Sequence, residues 1–235
     1  MRYWSTVLLS LMLAAPAFAN DSAVVGVGGS WKPMSGKHPA VRMVRERVEI
    51  DVHPSYEVTR ATFVFENEGP AMEVRMGFPE AGWGDIAPSA YMKRSGFQSF
   101  VTSVDGKPVK AVRYGGQPTE EDYRAVWVKR VPFRAKQQRT VQASYRSQLG
   151  EIASSEAPHF VAYQFSGGNW KGDVAESVMV VRFHPRLPDR INATLDGTKP
   201  HGVARGNTIT YRWTHWQAQG EFNLRFGSGR VLPER

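Results

Sequence analysis

Cysteine is absent from all 235 residues. That excludes a disulfide scaffold, a thiol nucleophile, thiolate zinc sites and a lipid-modified N-terminal cysteine. Stability must come from a packed core, and the chain is long enough for one large all-β domain or two small ones. Long apolar runs are also scarce. The most apolar stretch, Val7 to Ala15, is far shorter than the roughly 20 residues of a spanning helix. No segment of the mature chain keeps a helical period, and no serine sits in a Gly-x-Ser-x-Gly frame. Negative charge is the minority sign, with 22 Asp plus Glu against 30 Lys plus Arg.

What is present begins with a leader. Arg2 supplies a short positive start, Val7 to Ala15 an apolar stretch, and Ala17, Phe18 and Ala19 a small-x-small cleavage site. Residues 1–19 therefore read as a secretory signal peptide cut between Ala19 and Asn20. The mature chain is expected in the periplasm or outside the cell, with no transmembrane segment. Losing Arg2 takes the net charge from +8 to +7. The basic residues are spread along strands, so they read as a solvated surface able to lie against anionic polymers or head groups. Nucleic acid is not an expected partner, because export removes the chain from the genome and no recognition motif is present.

Behind the leader, alternation dominates. Residues 20–40, rich in Gly, Ser and Pro, form an extended lead-in. From Val41 to Val52, Val48, Ile50 and Val52 alternate with Arg47, Glu49 and Asp51. Residues 57–79 read as a central β-hairpin about Asn67-Glu68-Gly69-Pro70, with Ala61, Phe63 and Phe65 on one face and Met72, Val74, Met76 and Phe78 answering them. Ala81 to Ser95 has no clean period and reads as a long loop. A second hairpin is expected about Asp105-Gly106, between Phe97–Val104 and Lys107–Tyr114. Strands follow at Tyr123–Val131 and around Val141, Ala143 and Tyr145. Alternation fails over 148–158, which places a boundary near Ser154 between a first β-sandwich domain, 41–153, and a second β domain or a continuation of the sandwich, 154–235. There Val161, Tyr163 and Phe165, then Met179, Val181 and Phe183, then Phe222, Leu224 and Phe226 repeat the pattern. The expected fold is all-β, with one or two antiparallel β-sandwich domains of immunoglobulin-like type.

Few residues suggest chemistry. Asp51 and His53 share a strand face at the spacing of two metal ligands, but no third ligand is visible in the sequence. His53 precedes Pro54 and His184 precedes Pro185, the pattern of surface histidines at turns. No metal, cofactor or catalytic residue is expected. Carboxylate pairs could be drawn from Glu120, Glu121 and Asp122, or from Glu151 and Glu156, but both sets lie in hydrophilic loops. The aromatics are more informative. Trp127 and Trp213 fall inside strands and belong in the core, whereas Trp83, Trp170 and Trp216 sit in loop-like sequence, either as plugs or as stacking platforms. The candidate ligand or partner contacts are Trp83, Asp85, Tyr91, Asn169 and Trp170.

Short motifs add a resemblance. Asn20-Asp21-Ser22, Gly28-Gly29, Gly77-Phe78-Pro79 and Asn169-Trp170-Lys171-Gly172 resemble a group of exported bacterial proteins, domain-of-unknown-function family 4424. Ser30 and Asp173-Val174 depart from that pattern. The layout of the first half is similar to vault and inter-alpha-trypsin type β-sandwich domains. Either resemblance implies a secreted β-sandwich and carries no catalytic residue. The expected function is a non-catalytic protein of the cell envelope that holds a protein partner. The alternative is a carbohydrate or cell-wall binding module in which Trp83, Tyr91 and Trp170 stack on a surface polysaccharide.

Overall fold

The computed structural model describes residues 21–27, 30–81, 96–115, 123–151 and 157–227. In them the alternating segments form strands, numbered here along the chain. A five-stranded sheet runs β2 (Ser30–Pro33), β1 (Ser22–Val27), β5 (Met72–Ala81), β9 (Tyr123–Phe133), β8 (Val112–Gly115). An eight-stranded sheet runs β15 (Gly202–Arg205), β16 (Thr208–Trp216), β13 (Val174–Phe183), β3 (Val41–Val52), β4 (Tyr56–Asn67), β10 (Gln138–Gln148), β6 (Phe97–Val104), β7 (Lys107–Pro108). A four-stranded sheet runs β11 (Gly150–Glu151), β12 (His159–Ser166), β17 (Gln219–Gly227), β14 (Arg190–Leu195). The fold is all-β and sandwich-like, and no α-helix occurs among the described residues. None of these residues forms a helix long and apolar enough to cross a membrane.

One core joins the three sheets, because the longer strands turn alternate apolar side chains to a shared interior. Phe78 of β5 meets Tyr145 of β10 at 5.5 Å between ring centres, and Phe183 of β13 meets Phe226 of β17 at 5.1 Å. The smaller sheets thus cover opposite halves of the large one. The strands on either side of Ser154 share that large sheet, since β13 pairs with β3, Arg182 opposite Asp51 and Phe183 opposite Val52. That ladder is parallel, whereas the other named strand pairs are antiparallel.

The expected central hairpin is not a hairpin. β4 pairs with β3 and β10, and β5 pairs with β1 and β9, so the two arms lie in opposite sheets and form an arch. Asn67 shapes the crossing. It is fully buried, its Nδ2 donates to the carbonyls of Pro70 (2.6 Å) and Arg134 (3.0 Å), and its Oδ1 accepts from the Gly69 amide at 3.0 Å. A Cβ on Gly69 would stand 2.8 Å from the Ala40 Cβ, so only glycine fits there. β9 and β10 make a second arch beside the first, tied to it by the Asn67 amide donating to the Gln137 carbonyl at 2.9 Å.

Two further segments differ from their sequence reading. The lead-in is paired: β1 joins β2 and also β5, with Ser22 opposite Gly77. Lys107–Tyr114 is not one strand. After the Asp105-Gly106 turn, with φ of 50° and 75°, the chain pairs through Lys107 and Pro108, donates once more from the Val109 amide to the Thr102 carbonyl at 3.0 Å, then crosses to the five-stranded sheet as β8.

Candidate functional site

The candidate contacts chosen from the sequence fall in different places. Trp83, Asp85 and Tyr91 lie outside the described residues. Asn169 ends a short 3-10 turn, Gly167–Asn169, and its carbonyl accepts from the His38 amide at 2.8 Å. It is half-buried beside a shallow pocket of about 230 Å³ that Lys37, Ser166 and Gln219 also line. Trp170, the next residue, is 1% exposed. Its ring lies 4.7 Å from that of Phe65, and its Nε1 donates to the Asp21 carbonyl at 3.0 Å. A ring so enclosed presents no face to a sugar or peptide, which corrects the stacking role considered for Trp170: it is a plug. Trp170→Phe keeps most of the burial but strips the Asp21 carbonyl of its donor, so it is expected to cost about 1–3 kcal/mol, read from the urea midpoint. An unchanged midpoint would show that the bond contributes nothing.

Trp127, read as core from its strand, is anchored by a buried acid. Glu80 accepts from Trp127 Nε1 at 2.9 Å and from Arg113 Nε at 3.0 Å. Burial alone would raise the Glu80 carboxyl, but hydrogen bonds from Arg113, the Gly96 amide and Trp127 outweigh it and hold the group below its ordinary range.

The outer face of the large sheet carries the most organised polar cluster. Asp51 and His53 stand at the end of β3, and the parallel β13 delivers beside them the third residue that the sequence did not reveal, His184. The His184 amide donates to the Val52 carbonyl at 2.8 Å. Asp51 accepts from Arg60 Nη1 and Arg182 Nη1, each at 2.6 Å, and lies 3.3 Å from His184 Nε2. A stack then runs sideways. His184 and His53 are parallel at 4.6 Å, His53 and Tyr56 at 4.4 Å, and the Arg146 guanidinium carbon stands 3.6 Å above the Tyr56 ring.

The electrostatics follow from this geometry. Partial burial would raise the Asp51 carboxyl, yet the hydrogen bonds from Arg60, Arg182 and His184 hold it below the usual carboxylate range. His53 is held low by burial and then by the neighbouring His184 and Arg146, against the opposing pull of Asp51. The two histidine rings are stacked with nearly parallel planes, so their nitrogens do not converge, and no group of three His, Asp or Glu side chains among the described residues is placed to hold a metal. What the cluster can do is present cations. Arg60 and Arg182 hold the single carboxylate of Asp51 between them with side chains 54% and 40% exposed, and Arg146 adds a third guanidinium over the Tyr56 ring. Sequence reasoning missed these arginines. Their outward positions were readable from the alternation, but their adjacency was not.

No family model matches the chain, and no curated protein matches it. Among solved structures, it is similar to a candidate nutrient-binding protein of Legionella pneumophila, with 15% identity and a TM-score of 0.58, over 80% of this chain and 67% of that one. An M1 zinc metallopeptidase of Deinococcus radiodurans aligns at 11% identity with a TM-score of 0.42, over 81% of this chain but only 43% of the peptidase. At such identities the likeness to the Legionella protein concerns architecture, and this chain takes an all-β, sandwich-like fold similar to that protein's.

Proposed function

We propose that the chain is an exported, non-catalytic binding module of the bacterial cell envelope that holds a protein partner on the outer face of its eight-stranded sheet. The observation that carries this reading is the ordered cluster of Asp51, His53, Tyr56, Arg60, Arg146, Arg182 and His184. Such side chains normally sample many rotamers in water, and fixing them before contact lowers the entropic cost of binding. Arginine and tyrosine are also the residue types that dominate interface energetics. The Legionella protein of similar fold is described as a candidate for binding a nutrient, which is likewise a binding role. Export rests on the leader of residues 1–19.

The carbohydrate reading keeps a specific observation of its own, the shallow pocket beside Asn169 with the hydrogen-bonding groups of Lys37, Ser166 and Gln219. Capture with the tagged mature chain, Asn20 to Arg235, from cross-linked envelopes of its own host separates the two. One protein recovered reproducibly by the wild type and lost with Arg60→Glu/Arg182→Glu is the expected result. Recovery of wall or surface polysaccharide by both forms, with no such protein, would favour the pocket instead.

A further inference from the structure

Resting on that reading, we infer that the partner docks through an acidic segment whose carboxylates bind the guanidinium groups of Arg60, Arg146 and Arg182. Each of Arg60 and Arg182 donates to Asp51 from Nη1 alone, whereas a guanidinium carries five N–H donors over three nitrogens. Donors thus remain for a second carboxylate. Among the described residues Arg146 makes no ion pair, and its guanidinium lies against the face of Tyr56. The rest of the outer face is closer to balance: Arg47 pairs with Glu49 at 2.9 Å, Arg42 with Glu66 at 2.9 Å, and Arg212 with Glu176. The excess of positive charge is therefore greatest at one end of the sheet, where two guanidinium groups share the Asp51 carboxylate and a third lies over Tyr56.

The geometry also favours a peptide over a sugar polymer. A sugar needs an open aromatic face, and Tyr56 has none. His53 stacks on it at 4.4 Å and the Arg146 carbon lies 3.6 Å from its centre, and two groups that close cannot share one face without overlapping. Recognition is left to charge and to forked N–H donors, which match carboxylates.

The test uses the mature chain and a labelled short polyglutamate peptide at low salt, with polyglutamine and polygalacturonate as the other arms. Polyglutamate is expected to bind, polyglutamine is not, and raising the salt to about 0.2 M should weaken binding several-fold by screening. Arg60→Gln/Arg182→Gln should weaken it about tenfold or more. Arg146→Gln, which leaves the Asp51 pairs in place, should weaken it measurably and keeps the test decisive if the double variant folds poorly. Equal binding of polyglutamine, binding indifferent to the arginine variants, or tighter binding of polygalacturonate would each overturn the inference. A protein captured through the cluster while polyglutamate fails would overturn it alone and leave the proposed function standing.

Discussion

Asp21→Ala is expected to destabilise the folded chain by about 3–5 kcal/mol, the cost of leaving a buried charge without its partner. Lys129 stands on β9 at an inward position, flanked along the strand by buried Val131, and its side chain is 0% exposed. Its Nζ donates to both Asp21 carboxylate oxygens, at 2.6 and 2.8 Å, and Asp21 is equally buried. Removing the acid leaves the lysine dehydrated and unpaired. Removing both charges does not, so Asp21→Ala/Lys129→Met should recover most of the loss, and the two substitutions should be strongly non-additive in a double-mutant cycle read by urea denaturation. Additive losses would show that the pair contributes little. The same residue also takes the Trp170 indole on its carbonyl, so residues 149 positions apart meet at one buried junction. Asp21 is the second residue of the mature chain expected from the leader, and the sandwich closes over it.

The second large effect concerns pH. Glu57 is 4% exposed, and its Oε1 accepts from Ser147 Oγ at 2.7 Å, while Oε2 has no partner among the described residues. Burial pushes its carboxyl from an ordinary 4.5 up to about 8, with the Ser147 hydrogen bond opposing the shift. The folded chain therefore holds this proton more tightly than the unfolded chain does. Its contribution is fully present below 4.5 and is lost as pH rises through about 8, a change of roughly 3–5 kcal/mol across the window. Urea midpoints of the wild type should fall steadily over that range, and those of Glu57→Gln should not. An identical slope in the variant would assign the effect elsewhere. Asp51 and Glu80 act with the opposite sign: held low in the fold, they withdraw stability only in acid, as pH falls through their depressed values. The two processes occupy different pH ranges.

Much of this was legible in the residues alone. Alternation placed Phe63, Phe65, Met76 and Phe78 inward, and all four are fully buried. Asp105-Gly106 marked a turn because both residue types tolerate positive φ, and the two adopt φ of 50° and 75°. Alternation reports which face a side chain takes, and it does so from neighbours two residues away. It carries no information about which strand lies alongside. Hairpin and arch have the same period and the same turn residues, so β4 and β5 could not be assigned to opposite sheets from the pattern. A tryptophan in loop-like sequence looks the same as plug or as platform, and only the Phe65 ring and the Asp21 carbonyl settled Trp170. Asp51 and His184 are 133 residues apart, and nothing local to either names the other. All-β class, the inward faces of the long strands and the Asp105-Gly106 turn were thus determined by the sequence itself, because short-range sterics and face polarity decide them. The arches, the parallel β3–β13 ladder and the arginine cluster were decided by the tertiary structure, because they depend on burial shared between segments that meet only once the sheets have formed.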